Sequence, residues 1–217
     1  MIDNHSFQSI ATSLPKFTNE KDFSNQVVNI LGYGLGFHWV NLFLADEQRQ
    51  NAVFIAGYGK FAQSFLAHGH KLSLSKNGLV ADVVNFGEIH FEKPIHPTPF
   101  CWGHEHFKCK TPANAQIDVG LEFEKVREAD IVDWRTQSAI TPPIGWEICL
   151  PMQVNNETFG AIDFLIQLNL NDDEKEFWNN SLLTEIENQE NFSESQCSGL
   201  QWLINLISSK YQKAKVL

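Results

Sequence analysis

The stretch Cys101-Trp-Gly-His104-Glu-His106-Phe-Lys-Cys109 holds the densest set of metal-ligating side chains in the chain. Two thiols and two imidazoles within nine positions are enough donors for a four-coordinate zinc or iron ion. His104 and His106, two positions apart, fall on the same side of an extended chain. Each thiol must ionise to bind, so affinity would depend on pH. The expected metal set is therefore Cys101, His104, His106 and Cys109, with zinc or iron as the ion. The order C-x2-H-x-H-x2-C is not a common zinc spacing, and the competing reading is a surface loop rich in His and Cys. His90 and His96 flank the segment and read more simply as strand-end or loop histidines.

A second group could hold an organic ligand. Trp39, Phe54, Trp134 and Trp146 could wall a pocket, since ligand sites are mostly apolar with a few polar groups. The competing reading is that these rings are core. Trp39 and Trp146, each at the start of a strand-like run, are the better placed. Cys149 alternates with Ile148 and Leu150 and reads as a small core residue. No catalytic residue is expected: there is no G-x-S-x-G elbow and no phosphate-binding glycine loop. Gly32-Tyr-Gly34-Leu-Gly36 precedes a strand instead of following one, which reads as a flexible turn.

The elements that must carry these residues follow from periodicity. Phe7 to Leu14 is weakly helical and stops at Pro15. Phe23, Val27, Val28, Ile30 and Leu31 recur at helical spacing, with Gly32 as the stop. Trp39–Ala45 and Ala52–Gly57 flank a polar turn and predict an antiparallel hairpin. Phe61–Ala67 is a short helix candidate and His70–Leu74 alternates. Gly78–Asn85 predicts a helix entered from a Ser/Asn cap and ended by Gly87. Glu88–Phe91 predicts a short strand. From Glu92 to Gly145 prolines interrupt any pattern, and only Val119–Val132 hints at a helix. Glu147–Val154 and Glu157–Gln167 flank Asn155-Asn156, a tight hairpin signal. Asn171–Asn191 is polar with helical hints, and Leu200, Leu203, Ile204, Ile207 and Tyr211 mark a final amphipathic helix entered at Phe192-Ser193-Glu194-Ser195.

This order predicts an α+β fold. A central antiparallel sheet of five or six strands would carry the terminal helices on one face and a loop-roofed pocket on the other. One domain spanning 1–217 is expected, with a long irregular insertion at about 92–146 of the kind that is often functional.

Four stretches, in order, resemble the GAF domain family. They are Phe37-His38-Trp39-Val40 through Phe54-Ile55-Ala56-Gly57; Gly69-His70-Lys71-Leu72 through Asn77-Gly78-Leu79-Val80-Ala81-Asp82-Val83-Val84; Glu147-Ile148-Cys149-Leu150-Pro151-Met152 with Phe159-Gly160-Ala161-Ile162-Asp163; and Phe192-Ser193-Glu194 with Leu200-Gln201-Trp202-Leu203. The resemblance spans Phe23 to Tyr211. It implies a five- or six-stranded sheet, a pocket on one face and a non-catalytic sensory role, with signalling through helices that pair into a homodimer or meet a partner protein. It does not choose the small-molecule ligand, and inference from fold to function is analogy. The Asn-Lys-Phe-Asp signature of cyclic-nucleotide binders and the Cys-His pair of bilin binders are missing. No cysteine precedes Cys101, which departs from the methionine-sulfoxide reductases of this fold. A metal- or haem-centred redox or gas sensor built on Cys101–Cys109 stands as the alternative, and a sulfoxide reductase as a further one.

Composition narrows the partners. Lys+Arg of 16 against Asp+Glu of 26 gives a formal charge of -10, which argues against nucleic acid and anionic membrane surfaces. No apolar run reaches the roughly 20 residues that span a bilayer. The first residues lack a secretory pattern and the four cysteines do not make a disulfide scaffold, so a cytoplasmic protein with reduced thiols is expected.

Overall fold

A computed structural model describes residues 4–16, 18–59, 62–76, 78–98, 101–109, 123–125, 145–167 and 194–215. Helices α1 (Asn4–Ser13) and α2 (Glu20–Leu35) lead into strands β1 (Trp39–Ala45) and β2 (Asn51–Tyr58). Helix α3 (Ala62–Ala67), strand β3 (Lys71–Ser73) and helix α4 (Leu79–Phe86) follow. Strands β4 (His90–Thr98), β5 (Cys101–Cys109), β6 (Phe123–Lys125), β7 (Gly145–Val154) and β8 (Glu157–Gln167) precede the last helix, α5 (Glu194–Lys215). All eight strands form one sheet in the order β3-β2-β1-β8-β7-β4-β5-β6, and every pairing is antiparallel.

The α+β architecture is the expected one, but the sheet is wider than five or six strands. Much of the difference comes from the proline-studded segment, where β4 and β5 pair along most of their length. The prolines are tolerated for a topological reason. Among the described residues β4 pairs with β7 only at His90, Phe91 and Glu92, so Pro94 and Pro97 lie where only β5 is a described neighbour, at a register shift. A residue without an N–H is compatible with such an edge or bulge. The anticipated helix over Val119–Val132 has a strand, β6, at Phe123–Lys125; its other residues, and Asn171–Asn191, lie outside the described residues.

Two turns are set by local chemistry. At the β1–β2 turn the Asp46 carboxylate accepts from the Gln50 N–H at 2.7 Å and the Asn51 N–H at 3.1 Å. Between β7 and β8, Asn155 and Asn156 have φ of 52° and 66°, the left-handed pair that a tight hairpin needs and that Asn tolerates. Helix α2 corrects the anticipated stop at Gly32. It is capped by the Asn19 side chain, which accepts from the Asp22 N–H, and runs through Gly32 to end at Gly36 in the left-handed region. Gly32 is there for proximity: a Cβ at that position would sit 2.1 Å from the Tyr58 ring on β2. The glycine run is thus the end of a helix pressed on the sheet, not a flexible turn. Helix α4 begins at Gly78 without a side-chain cap, contrary to the Ser/Asn cap expected, and ends at Gly87.

The sheet buries both faces. On one, α1, α2 and α5 cover Val40, Leu42, Leu44, Ile148, Leu150, Met152, Ile162 and Phe164. Phe23 meets Tyr211 edge-to-face at 5.0 Å, and the Ser24 and Tyr211 hydroxyls hydrogen-bond, tying α2 to α5. On the other face the short helices α3 and α4 pack Ala62, Leu79, Val80, Val83 and Val84 on Phe43, Phe54, Cys149 and Ala161. Arg49 locks this layer, its guanidinium donating to Thr158 O at 2.8 Å and Val84 O at 3.1 Å. Among the described residues no helix is long and apolar enough to cross a membrane.

Candidate functional site

Side chains alternate along a strand, so residues paired across a sheet form rows on one face. The α3–α4 face carries two neighbouring rows that are polar where the opposite face is apolar. One row runs Gly57, Asn41, Asp163, Cys149, His90, Lys108 across β2, β1, β8, β7, β4 and β5. The next runs Trp39, Leu165, Glu147, Glu92 across β1, β8, β7 and β4. Asn41, His90, Glu92, Glu147 and Asp163 are all buried. A domain core rarely holds this many polar side chains without a functional reason.

The geometry centres on Asp163. The Asn41 amide donates to Asp163 Oδ2 at 3.1 Å, while Oδ1 is buried and meets no amide or hydroxyl donor. Burial pushes the Asp163 carboxyl up to about 6, against hydrogen bonding from Asn41 and from the Glu147 carboxyl. Cys149, a fully buried member of the first row, is held well above its ordinary value by burial first and then by Asp163, Glu147, Glu92 and Asp82, so it stays a thiol. Asp82, on the first turn of α4, is raised to about 6, again chiefly by burial. At one end of the rows lies Trp39; at the other Glu88 stands 3.9 Å from the Lys108 ammonium and 4.0 Å from His90 Nε2. Beside them Phe43, Phe54, Phe65 and His70 pack together, with His70 stacked on Phe65 at 4.7 Å and its imidazole pushed down by burial. His38 and His68 are exposed.

The sequence-derived ligand residues divide between the faces. Trp39 and Phe54 lie on the α3–α4 face, both buried. Trp146 lies on the other, stacked on Phe91 at 5.9 Å within the helix-covered core. Trp134 lies outside the described residues. The carboxylates, His90 and Asn41 were missed as a group. Each is a single polar residue in an apolar strand, and only the register brings them together.

The anticipated metal set falls on β5, with Cys101 and Cys109 at its two ends, and the side chains of Cys101, His104 and His106 lie outside the described ones. Cys109 is buried in the helix-side core. Among the described residues no group of three or more His, Cys, Asp or Glu is arranged to hold a metal ion. A separate open groove of about 280 Å³, lined by Val154, Glu157, Phe159, Tyr211 and Gln212, lies beside α5 and the β7–β8 turn, away from the polar rows.

A single antiparallel sheet with long terminal helices on one face and short helices over a polar patch on the other is a GAF-like fold. Solved structures of that fold superpose on nearly the whole chain. The phycoerythrobilin-bound GAF domain of a cyanobacterial phytochrome matches with a TM-score of 0.60 at 11% identity, covering 100% of this chain and 98% of its own. The GAF domain of an Acinetobacter phosphoenolpyruvate-protein phosphotransferase matches at 0.56 and 16%, covering 98% and 94%. The free methionine-R-sulfoxide reductase of Neisseria meningitidis, in complex with its substrate, matches at 0.56 and 11%, covering 97% and 89%. No protein-family model matches the chain, and no curated protein sequence does. At these identities the likeness is one of fold.

Proposed function

We propose that the protein is a non-catalytic sensory module that binds a small ligand on the α3–α4 face of its sheet and passes the signal to another chain through its terminal helices. The observation that carries this reading is the buried polar pair Asn41–Asp163, with Glu147 and Glu92 alongside and Trp39 at the margin. Such a face offers carboxyl acceptors in an apolar surround, the make-up of an orienting ligand site. Buried carboxyl acceptors favour a ligand that brings hydrogen-bond donors or a positive charge. The ring of Trp39 supplies an apolar surface beside them. A ligand that binds one arrangement of α3 and α4 better than another would shift the population between them, which is all that sensing requires.

The neighbours support the class without naming the ligand. One binds a bilin and another is complexed with its sulfoxide substrate. Among the described residues the thiols are all buried: Cys149 lies on this face and is held as a thiol, Cys109 and Cys197 lie in the helix-side core, and no cysteine precedes Cys101. That favours binding over sulfoxide reduction. Dimerisation through α1, α2 and α5 belongs to the same proposal.

Thermal-shift screening of small metabolites against the native protein and against Asp163→Asn tests it. Cationic or donor-rich compounds should raise the melting temperature of the native protein and lose that effect in the variant. Stabilisation retained in full by Asp163→Asn would remove this face as the site. Turnover of free methionine sulfoxide would overturn the non-catalytic part.

A further inference from the structure

We propose that α4 is a hinged cover over the polar rows, pivoting at its C-terminal end and opening from Gly78. The movement needs no ligand, so it can fail while the ligand reading stands, and the ligand reading can fail while the movement stands.

The need for a cover comes from burial. Asn41, Cys149 and Asp163 expose 8%, 0% and 5% of their surface. Nothing dissolved in water reaches them unless something moves. On this face, among the described residues, α4 is the helix that packs on β7 and β8, where Cys149 and Asp163 pair, while α3 lies on β2. Leu79, Val80, Ala81, Val83 and Val84 of α4 join Cys149 and Ala161 in one apolar cluster.

The two ends of α4 are held differently. At the C-terminal end the bonds are directional. Arg49 Nη2 donates to Val84 O at 3.1 Å while its Nη1 donates to Thr158 O at 2.8 Å, which bolts the helix to β8. The Asn85 amide donates to Leu74 O at 2.8 Å. Gln153 Nε2 donates to Gly87 O at 3.1 Å and to Thr158 Oγ1 at 2.9 Å. Gly87 closes the helix at a φ of 68°, and a Cβ there would sit 2.2 Å from Gln153 Nε2. At the other end Gly78 supplies no side-chain cap, and Leu79, Val80 and Ala81 are held by apolar contact. Apolar contact is non-directional and lets a helix tilt, where hydrogen bonds fix its angle. The helix has 8 residues and is about 12 Å long. A small rotation about Val84–Gly87 therefore moves the first turn furthest, off the cluster that holds Cys149.

Peptide-resolved labelling of the full chain with N-ethylmaleimide reads the opening through the Cys149 thiol. Gly78 has an extended backbone, with a φ of 166°, and open space where a Cβ would go, so Gly78→Ser fits and supplies the missing cap. That variant should slow Cys149 labelling severalfold and leave Cys109 and Cys197, in the helix-side core, at their native rates. If all three slow together, Cys149 is reached by global unfolding and the cover is refuted. An unchanged Cys149 rate refutes release at Gly78. Methyl relaxation dispersion reads opening on the lid timescale. Native protein should show exchange at Leu79 and Val80 and none at Val84, and Arg49→Ala should spread it to Val84. A flat profile along α4, or one largest at Val84, overturns the pivot, as does an Arg49→Ala profile identical to the native one. If Arg49→Ala fails to fold, the native profile and Gly78→Ser still decide.

Discussion

At the residue scale, the buried row on the α3–α4 face works by putting few polar groups where water is scarce. Asp163 is the one most exposed to that cost, since a single amide at 3.1 Å serves its carboxylate. Asn41 is the residue that makes the cost tolerable. Asn41→Leu would remove that donor and leave a buried carboxylate facing an apolar group, a loss of about 1–3 kcal/mol. Chemical denaturation at neutral pH should register it, and the loss should shrink in an Asp163→Asn background, because a neutral amide does not need the same donor. Equal losses in both backgrounds would show that Asn41 acts by packing alone. Arg49 offers a contrast. It adopts a φ of 52° in the turn and spends its guanidinium on two backbone carbonyls, one at the end of α4 and one on β8. Arg49→Ala should cost about 2 kcal/mol, since hydrogen bonds from a charged donor are the stronger kind, and Arg49→Lys should recover only part of it because Lys cannot fork to both oxygens.

At the scale of elements, α2 shows how a helix is shaped by what it touches. Ala is the better helix former by about 1 kcal/mol at an interior glycine, yet Gly32→Ala places a methyl 2.1 Å from the Tyr58 ring. Overpacking of that kind costs about 1–3 kcal/mol, so the substitution should lower the melting temperature. Gly34→Ala meets only the end of Ile10, at 3.0 Å, and should come out near neutral by the same measurement. A stabilising Gly32→Ala would mean that α2 does not lie against β2 as described.

The sequence made several elements readable and left others hidden, for physical reasons. The two hairpins were legible because polar or Asn-Asn turns separated alternating runs. The alternation in Trp146-Glu-Ile148-Cys-Leu150 also held the clue that Trp146 belongs with Ile148 and Leu150, away from Glu147 and Cys149. β4 and β5 were hidden because prolines argue against a central strand, and nothing local says that β4 loses its second neighbour after Glu92. The polar rows were illegible because they exist only across strands far apart in the sequence.

At the scale of the whole molecule, the two faces divide the labour. The α1–α2–α5 face is apolar and tied by Ser24 and Tyr211, whose phenol is pushed up to about 12 mainly by burial. The α3–α4 face holds the titratable groups. Asp163 and Asp82 both rise from an ordinary 3.8 to about 6. An acid raised on folding binds its proton more tightly in the native state. Its stabilising contribution is therefore full below about 4 and lost as the pH rises through about 6. Thermal melts of the native protein, Asp163→Asn and Asp82→Asn across that window should show a smaller fall with rising pH in each variant. Parallel curves for all three would remove both acids as sources of the pH dependence.

The central claim is that ligand chemistry belongs to the α3–α4 face. Backbone NMR shifts during titration with whichever metabolite gives the largest thermal shift test it most directly. The account predicts perturbations centred on Trp39, Asn41, Glu147, Cys149 and Asp163, fading toward α5. Perturbations centred instead on Val154, Phe159 and Tyr211, in the groove beside α5, would contradict it.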